Sequence, residues 1–262
     1  MKQRSPQDKH LNKGNCDFIS IYHQNIRKLR NKTQEILSHL HPNLPHVICL
    51  TEHHLRAQEL NYVSMENYTI GAQFCRSDFQ RGGVIMYVHS CLNFTNIDLS
   101  AYCKEKIIEV CEVKIKTNSQ FMCIIAVYIP PTGNYNYFLQ QLDEVRKILY
   151  SPTTCLIVCG DLNINYLIEN EQKRQLDNLL LIYNLMGTVN FPTTINQTTA
   201  TAIDNIIIDI SQYDHYSVRP FYNDLSDHDA QILTLKTPIY TQFESEKFIR
   251  MIKRQFQTLY TN

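Results

Sequence analysis

No stretch of this 262-residue chain approaches the roughly 18 uninterrupted apolar residues that a membrane-crossing helix requires, so no bilayer span is expected. The opening MKQRSPQDKHLNKG lacks an apolar h-region, which argues against a secretory signal and for an intracellular setting, nucleus or cytoplasm. No CxxC pair occurs among the nine cysteines, which are odd in number and lie mostly in apolar, strand-like runs. Zinc and dithiol redox chemistry are therefore not indicated, and the thiols read as reduced core side chains. Cys155 and Cys159, which flank LIV, come nearest to metal-ligand spacing and read as packing. Neither sign of charge is in excess, with 25 basic and 25 acidic side chains. A protein that coats nucleic acid passively usually carries a basic surplus; an enzyme touching a few phosphates need not. Internal repeats and low-complexity linkers are also missing, which leaves one domain over 17–238 between a polar tail, 1–16, and a second tail, 239–262.

What the chain does have is apolar runs rich in Ile, Val, Cys and Tyr. FISIY (18–22), VICL (47–50), GVIMYV (83–88), IIEVCEVKI (107–115), FMCIIAVYI (121–129), CLIVCG (155–160), IDNIIIDI (203–210) and QILTL (231–235) have the length and β-branching of buried strands. The polar KTNSQ between the fourth and fifth predicts an antiparallel hairpin. Helical spacing appears at Ile36, Leu37 and Leu40, with Asn31 and Gln34 as a cap and Pro42 beyond the end. It recurs at Phe138, Leu142, Val145 and Leu149, and at Leu176, Leu179, Leu180 and Tyr183 ahead of Gly187. Irregular alternation with at least one antiparallel pair predicts an α/β protein with mixed sheets and outer helices. In the second tail, Phe248, Ile252, Phe256 and Leu259 share a helical face among basic residues, as in an amphipathic helix that docks or a stub leading elsewhere.

Chemistry-bearing residues collect at the ends of these strands. FISIYHQN ends in Asn25, VICLTE in Glu52, IIAVY in Tyr128 and LIVCGDLN in Asp161 and Asn163, while Asp204 opens one strand and Asp227 and His228 another. Open α/β sheets place their sites along such ends. Each residue alone has a plain explanation in capping or turn chemistry. The ordered set is harder to obtain that way.

The segments HQNIR, CLTEHHL, RGGVIMYV, VYIPPTG, CGDLNIN, TTATAIDNIII and LSDHDAQIL, in this order over 17–238, resemble the endonuclease/exonuclease/phosphatase superfamily. Within it, QNIRKLRNKTQEI, VYIPPTGNYNYF and LSDHDAQIL look most like the endonuclease domain of non-LTR (LINE-type) retrotransposons. The resemblance implies a four-layer α/β sandwich, two mixed β-sheets packed face to face with helices on the outside, and Mg²⁺-dependent phosphodiester cleavage, with Mn²⁺ as a possible substitute. It implies that Glu52 is the principal metal ligand with Asn25 beside it, and that Asp227 faces the metal side. Asp161 would orient or deprotonate the attacking water, Asn163 would hold a phosphate oxygen, and His228, paired with Asp204, would contact the scissile phosphate. Tyr128 and Thr201 match phosphate-contacting positions. DNA is the implied partner, and a reverse transcriptase domain is expected in the parent element; no YxDD-type motif occurs here.

The chemistry suits these roles. Phosphoryl displacement builds negative charge on oxygen, which calls for a hard cation, fixed donors and one base. Mg²⁺ takes oxygen ligands and keeps several waters. A histidine beside an aspartate stays charged near neutrality. In DLSDHDA, Asp227 and His228 are the expected working pair, while Asp224 and Asp229 cap or solvate the strand entrance. The resembling repair enzymes carry an acid two residues after the first asparagine; here that residue is Arg27, which suits a DNA phosphate and makes abasic-site repair a poorer fit. The cluster Arg27, Lys28, Arg30 and Lys32 either lines a DNA backbone or is a solvated helix start. His53 and His54 point to opposite faces if extended, so at most one reaches the site, and surface placement is expected. The glycines of QRGGVIMY read as a tight turn. A DNA-nicking endonuclease leaving a 3′-hydroxyl is thus the first reading. A phosphatase on another substrate, or a catalytically silent remnant that binds nucleic acid, are the alternatives.

Overall fold

The computed structural model describes residues 18–236 apart from 118–119, 150, 152–153, 210–211 and 214. The amphipathic pattern at 248–259 lies outside the described residues. In chain order the elements are β1 (Phe18–Asn25), α1 (Thr33–Leu40), β2 (Val47–Thr51), β3 (Tyr68–Phe74), β4 (Val84–His89), β5 (Phe94–Thr95), β6 (Glu109–Lys116), β7 (Phe121–Tyr128), α2 (Tyr135–Leu149), β8 (Thr154–Asp161), α3 (Glu171–Leu181), β9 (Leu185–Gly187), β10 (Thr194–Ile195), β11 (Ala200–Thr201), β12 (Asp204–Asp209), β13 (Tyr216–Phe221) and β14 (Ala230–Lys236).

Two six-stranded sheets form, ordered β13-β14-β1-β2-β4-β3 and β5-β6-β7-β8-β12-β9, and β10 with β11 makes a separate hairpin. Both sheets are mixed: β1 runs parallel to β2 and β7 parallel to β8, and the other pairs are antiparallel. The expected β6–β7 hairpin is present in continuous register from Glu109↔Tyr128 to Lys116↔Phe121.

Strand alternation explains the layering. Ile19 and Ile21 of β1, Val47 and Cys49 of β2, Ile124 and Ala126 of β7, Ile157 and Cys159 of β8, and Ile206 and Ile208 of β12 meet in one core between the sheets. The alternate residues face outward. Those of the first sheet, among them Ile48, Leu50 and Ile85, pack on Ile36 and Leu40 of α1. Those of the second, among them Ile125, Val158 and Ile207, pack on Phe138, Leu142 and Val145 of α2 and on Leu176 and Leu180 of α3. Three apolar interfaces separating helix, sheet, sheet and helix make a four-layer α/β sandwich.

Two local expectations are corrected. The N-cap of α1 is Lys32 and no side chain caps it; Asn31 instead takes a left-handed turn with φ 69°. Lys32 ties this turn down by donating its Nζ to the carbonyls of Ile26 (2.8 Å) and Leu225 (2.6 Å). Gly187 does not end α3: that helix stops at Leu181, Asn184 makes the turn with φ 56°, and Gly187 pairs with Ile207 inside β9.

Candidate active site

The topology delivers six strand ends to one place. β1 and β2 are parallel neighbours, so Asn25 and the residue after Thr51 finish at the same end of the first sheet, and antiparallel β14 starts there. In the second sheet Tyr128 lies opposite Asp161, and Asp161 opposite Asp204. With the sheets face to face, the polar ends close one edge of the apolar core.

Asn25 spans the gap between sheets. Its Nδ2 donates to Glu52 Oε1 at 3.0 Å and to Asp161 Oδ2 at 2.8 Å, while its Oδ1 accepts the Arg27 N–H. Glu52 also takes a hydrogen bond from His54 at 3.0 Å and one from Tyr128. Burial alone would raise the Glu52 carboxyl, but the donors His54, Asn25 and Tyr128 outweigh it and hold it down to about 2. Glu52 is therefore an anion at any physiological pH. Asp161 is the opposite case. Burial, then the nearby Asp204 charge, push its carboxyl well above the ordinary range, against His228, Asn25 and the Asn163 N–H.

Across from these, His228 Nδ1 sits 2.8 Å from Asp204 Oδ2 in a pair almost without solvent contact. Burial would lower the His228 pKa, yet the charge and hydrogen bond of Asp204, with Asp161 and Asp227 beyond, raise it to about 9. The ring is a cation at neutrality. One ligand atom from each of Asp161, Asp204 and His228 lies within 4.8 Å of the others.

Asn163 has φ 51° and donates its N–H to Asp161 Oδ1 at 3.1 Å and its Nδ2 to the Ile129 carbonyl at 2.5 Å. Tyr128 is buried beside Glu52, and burial with the carboxylates of Glu52 and Asp161 keeps its hydroxyl protonated. Asp227, expected on the metal side, stands half-exposed at the rim and is ion-paired to Arg27 at 2.5 Å; Arg27 thus meets a carboxylate rather than a free surface. Thr201 pairs with Thr194 in the β10–β11 hairpin, and Thr194 in turn bridges to His228, which sets the hairpin against the site.

The placement of His53 and His54 at the surface is overturned. Glu52 and His54 have φ 52° and 58°, so the segment is not extended and simple alternation does not hold. His53 is fully buried and its Nε2 bonds the Phe74 carbonyl at 3.0 Å, while His54 contacts Glu52. The glycines do form a turn, with φ 70° and 91°, and a Cβ on Gly83 would lie 2.4 Å from the His53 ring. Two further contributors escaped sequence reasoning. Thr193 donates its hydroxyl to Asp204 Oδ2 at 2.7 Å, and Gln24 donates to the His228 carbonyl at 2.8 Å. Thr193 sits in a loop with no periodic signal; Gln24 lay next to Asn25 in HQN and was readable as part of the same strand end.

The profile of the Endonuclease/Exonuclease/phosphatase family matches residues 15–228, and the chain belongs to that family. Among solved structures it is similar to the endonuclease domain of TRAS1, a telomere-specific non-LTR retrotransposon, at 16% identity and TM-score 0.67, over 84% of this chain and 98% of that one. It is also similar to a humanized D. rerio TDP2 (14%, TM-score 0.64, 85% and 100%) and to the AP endonuclease LMAP of Leishmania major (13%, TM-score 0.62, 85% and 89%). At such identities these likenesses speak to the shared fold. Among curated protein sequences no significant match is found.

Proposed function

We propose that the chain is a divalent-metal-dependent endonuclease that nicks DNA and leaves a 3′-hydroxyl, as in the retrotransposon branch of its family. The observation that carries this reading is the division of the cleft into an anionic half, Glu52 and Asp161 bridged by Asn25, and a cationic half, His228 held by Asp204.

The anionic half fits Mg²⁺, or Mn²⁺ in its place, because its donors are oxygens and Glu52 is ionised. Glu52 would hold the ion, with Asn25 turning its amide to present Oδ1. His228 is a poorer ligand for a hard cation, since its Nδ1 is committed to Asp204. When bound, the metal polarises the scissile phosphate and offsets the charge that grows on it.

The remaining work falls to side chains of this chain. Asp161, pushed above the ordinary carboxylate range by burial and the Asp204 charge, is a stronger base than a free carboxylate and is placed to take a proton from water. His228 presents a protonated Nε2 to a phosphate oxygen, and Asp204 fixes the ring so that this nitrogen faces the cleft. Asn163 borders the same space as a neutral donor, and Tyr128 would turn its single hydroxyl hydrogen from Glu52 to a phosphate oxygen when the metal takes that carboxylate. At the rim, a DNA phosphate would draw Arg27 from Asp227 and free that acid to face the cleft.

Supercoiled plasmid incubated with the protein and Mg²⁺ should become open circle, EDTA should stop it, and the nick should be extendable by a DNA polymerase without prior treatment. Undiminished nicking by both Asp161→Ala and His228→Ala would remove the assigned roles. Release of inorganic phosphate from small phosphomonoesters with intact plasmid would move the reading to a phosphatase.

A further inference from the structure

His23 lies two residues before Asn25 on β1 and faces the core between the sheets, the side on which Ile19, Ile21 and Asn25 also point. The ring is fully buried and takes no part in the catalytic roles above. Its Nδ1 is 2.7 Å from Gln231 Oε1 on the neighbouring β14. Gln231 donates its own Nε2 to the Asp229 carbonyl, so its oxygen is the atom turned to His23 and must accept. His23 Nδ1 therefore carries the hydrogen. A second proton would put a charged N–H in the core with no acceptor bonded to it, so the ring is neutral and carries a bare lone pair on Nε2.

That Nε2 is buried and has no hydrogen-bond partner. Asp204 Oδ1 is in the same condition, since His228 and Thr193 both use Oδ2. Asp204 lies on the inward face of β12 with Ile206 and Ile208, in the core shared with Ile19 and Ile21 on the His23 face of β1, and it holds His228, whose carbonyl is bonded by Gln24 next to His23. Two acceptors cannot bond each other, and a buried acceptor without a donor is costly. The species that satisfies both is a small double donor.

We propose that one buried water donates a hydrogen to His23 Nε2 and the other to Asp204 Oδ1, which makes His23 a positioning residue for the Asp204–His228 pair. This rests on the catalytic reading above. With Oδ2 tied to Thr193 and His228 and Oδ1 tied through water to His23, the carboxylate cannot rotate about its Cβ–Cγ bond. The His228 ring is then held with Nε2 towards the cleft. Gln231 matters because it sets the tautomer; its own contacts never reach Asp204.

A high-resolution crystal structure of the protein should show a water within hydrogen-bond distance of both atoms. Long-range ¹H–¹⁵N spectra should show His23 as the Nδ1–H tautomer. A dry site, or an Nε2–H tautomer, overturns the proposal whether or not the protein cleaves DNA. In the nicking assay, His23→Phe keeps a planar ring at this position without an acceptor. It should lower kcat about ten-fold with KM for DNA little changed, should lower the melting temperature because Gln231 Oε1 loses its donor, and should broaden the His228 ring signals. Wild-type kcat and sharp His228 signals in that variant would also overturn it. If the wild type itself cleaves no DNA while water and tautomer are as expected, the catalytic reading fails and the structural link stands.

Discussion

Glu52 and Asp161 are two carboxylates bridged by one amide, yet their environments drive them apart. Glu52 is held by three donors and is ionised, whereas Asp161 is fully buried next to Asp204. Two acids separated in this way can serve two roles, one to hold a cation and one to take a proton. His54 contributes by holding Glu52 in place. We expect His54→Ala to raise the Mg²⁺ concentration for half-maximal nicking roughly ten-fold, the usual size of such supporting contacts, while kcat at saturating metal stays near wild type. A metal titration of initial rates checks this. His228 gives a test by pH. Its pKa is raised from 6.5 to about 9 in the folded chain, so the folded state binds its proton more tightly than the unfolded state does. That contribution is fully present below pH 6.5 and is lost as pH rises through 9; it amounts to at most roughly 3 kcal/mol. Urea unfolding of wild type and His228→Gln should therefore differ most at pH 6 and least above pH 9.

Strands decide which parts of the molecule can be read from its sequence. All eight apolar runs are strands, and they supply the middle of both sheets. The strands that escaped are edge strands or short pieces. β3 and β13 bound the first sheet; β3 carries a register shift at Gly71 and buries only Gly71 and Ala72 of its seven residues, and β13 contains Pro220 and has no fully buried residue. β5 and β9 bound the second and are two and three residues long. Hydrophobic pattern reports burial on both faces, so it fades where a sheet stops. The same limit applies to the site: Asp161 and His228 stood out beside strong strands, while Thr193 and the inward turn of His54 depend on loop geometry that no period encodes. Gly160 is an element-scale device the run CLIVCG concealed. A Cβ there would lie 2.1 Å from the Val127 carbonyl oxygen, which belongs to backbone and cannot yield. Gly160→Ala should cost on the order of 3 kcal/mol, about 10 °C in melting temperature, and should displace the adjacent Asp161. Calorimetry and the plasmid assay together test both effects.

Taken whole, the protein is two sheets glued by one apolar core, and its reactive groups are shared between them. Asn25, Glu52 and His228 hang from the first sheet or its loops; Tyr128, Asp161 and Asp204 hang from the second. Anything that ties Glu52 to Asp161 therefore ties sheet to sheet. Millimolar Mg²⁺ should raise the melting temperature of the wild type by a few degrees and leave Glu52→Gln unmoved, since only ligands of the folded state stabilise it.

The hairpin formed by β10 and β11 adds a last consequence. Its backbone bridge from Thr194 to His228 fastens a two-stranded finger to the strand entrance that carries this histidine, and Ile195 on the finger is mostly exposed. On the proposed reading, a duplex that pressed on this finger would load the backbone that carries His228, so the grip on distant nucleotides would bear on the rate of cleavage.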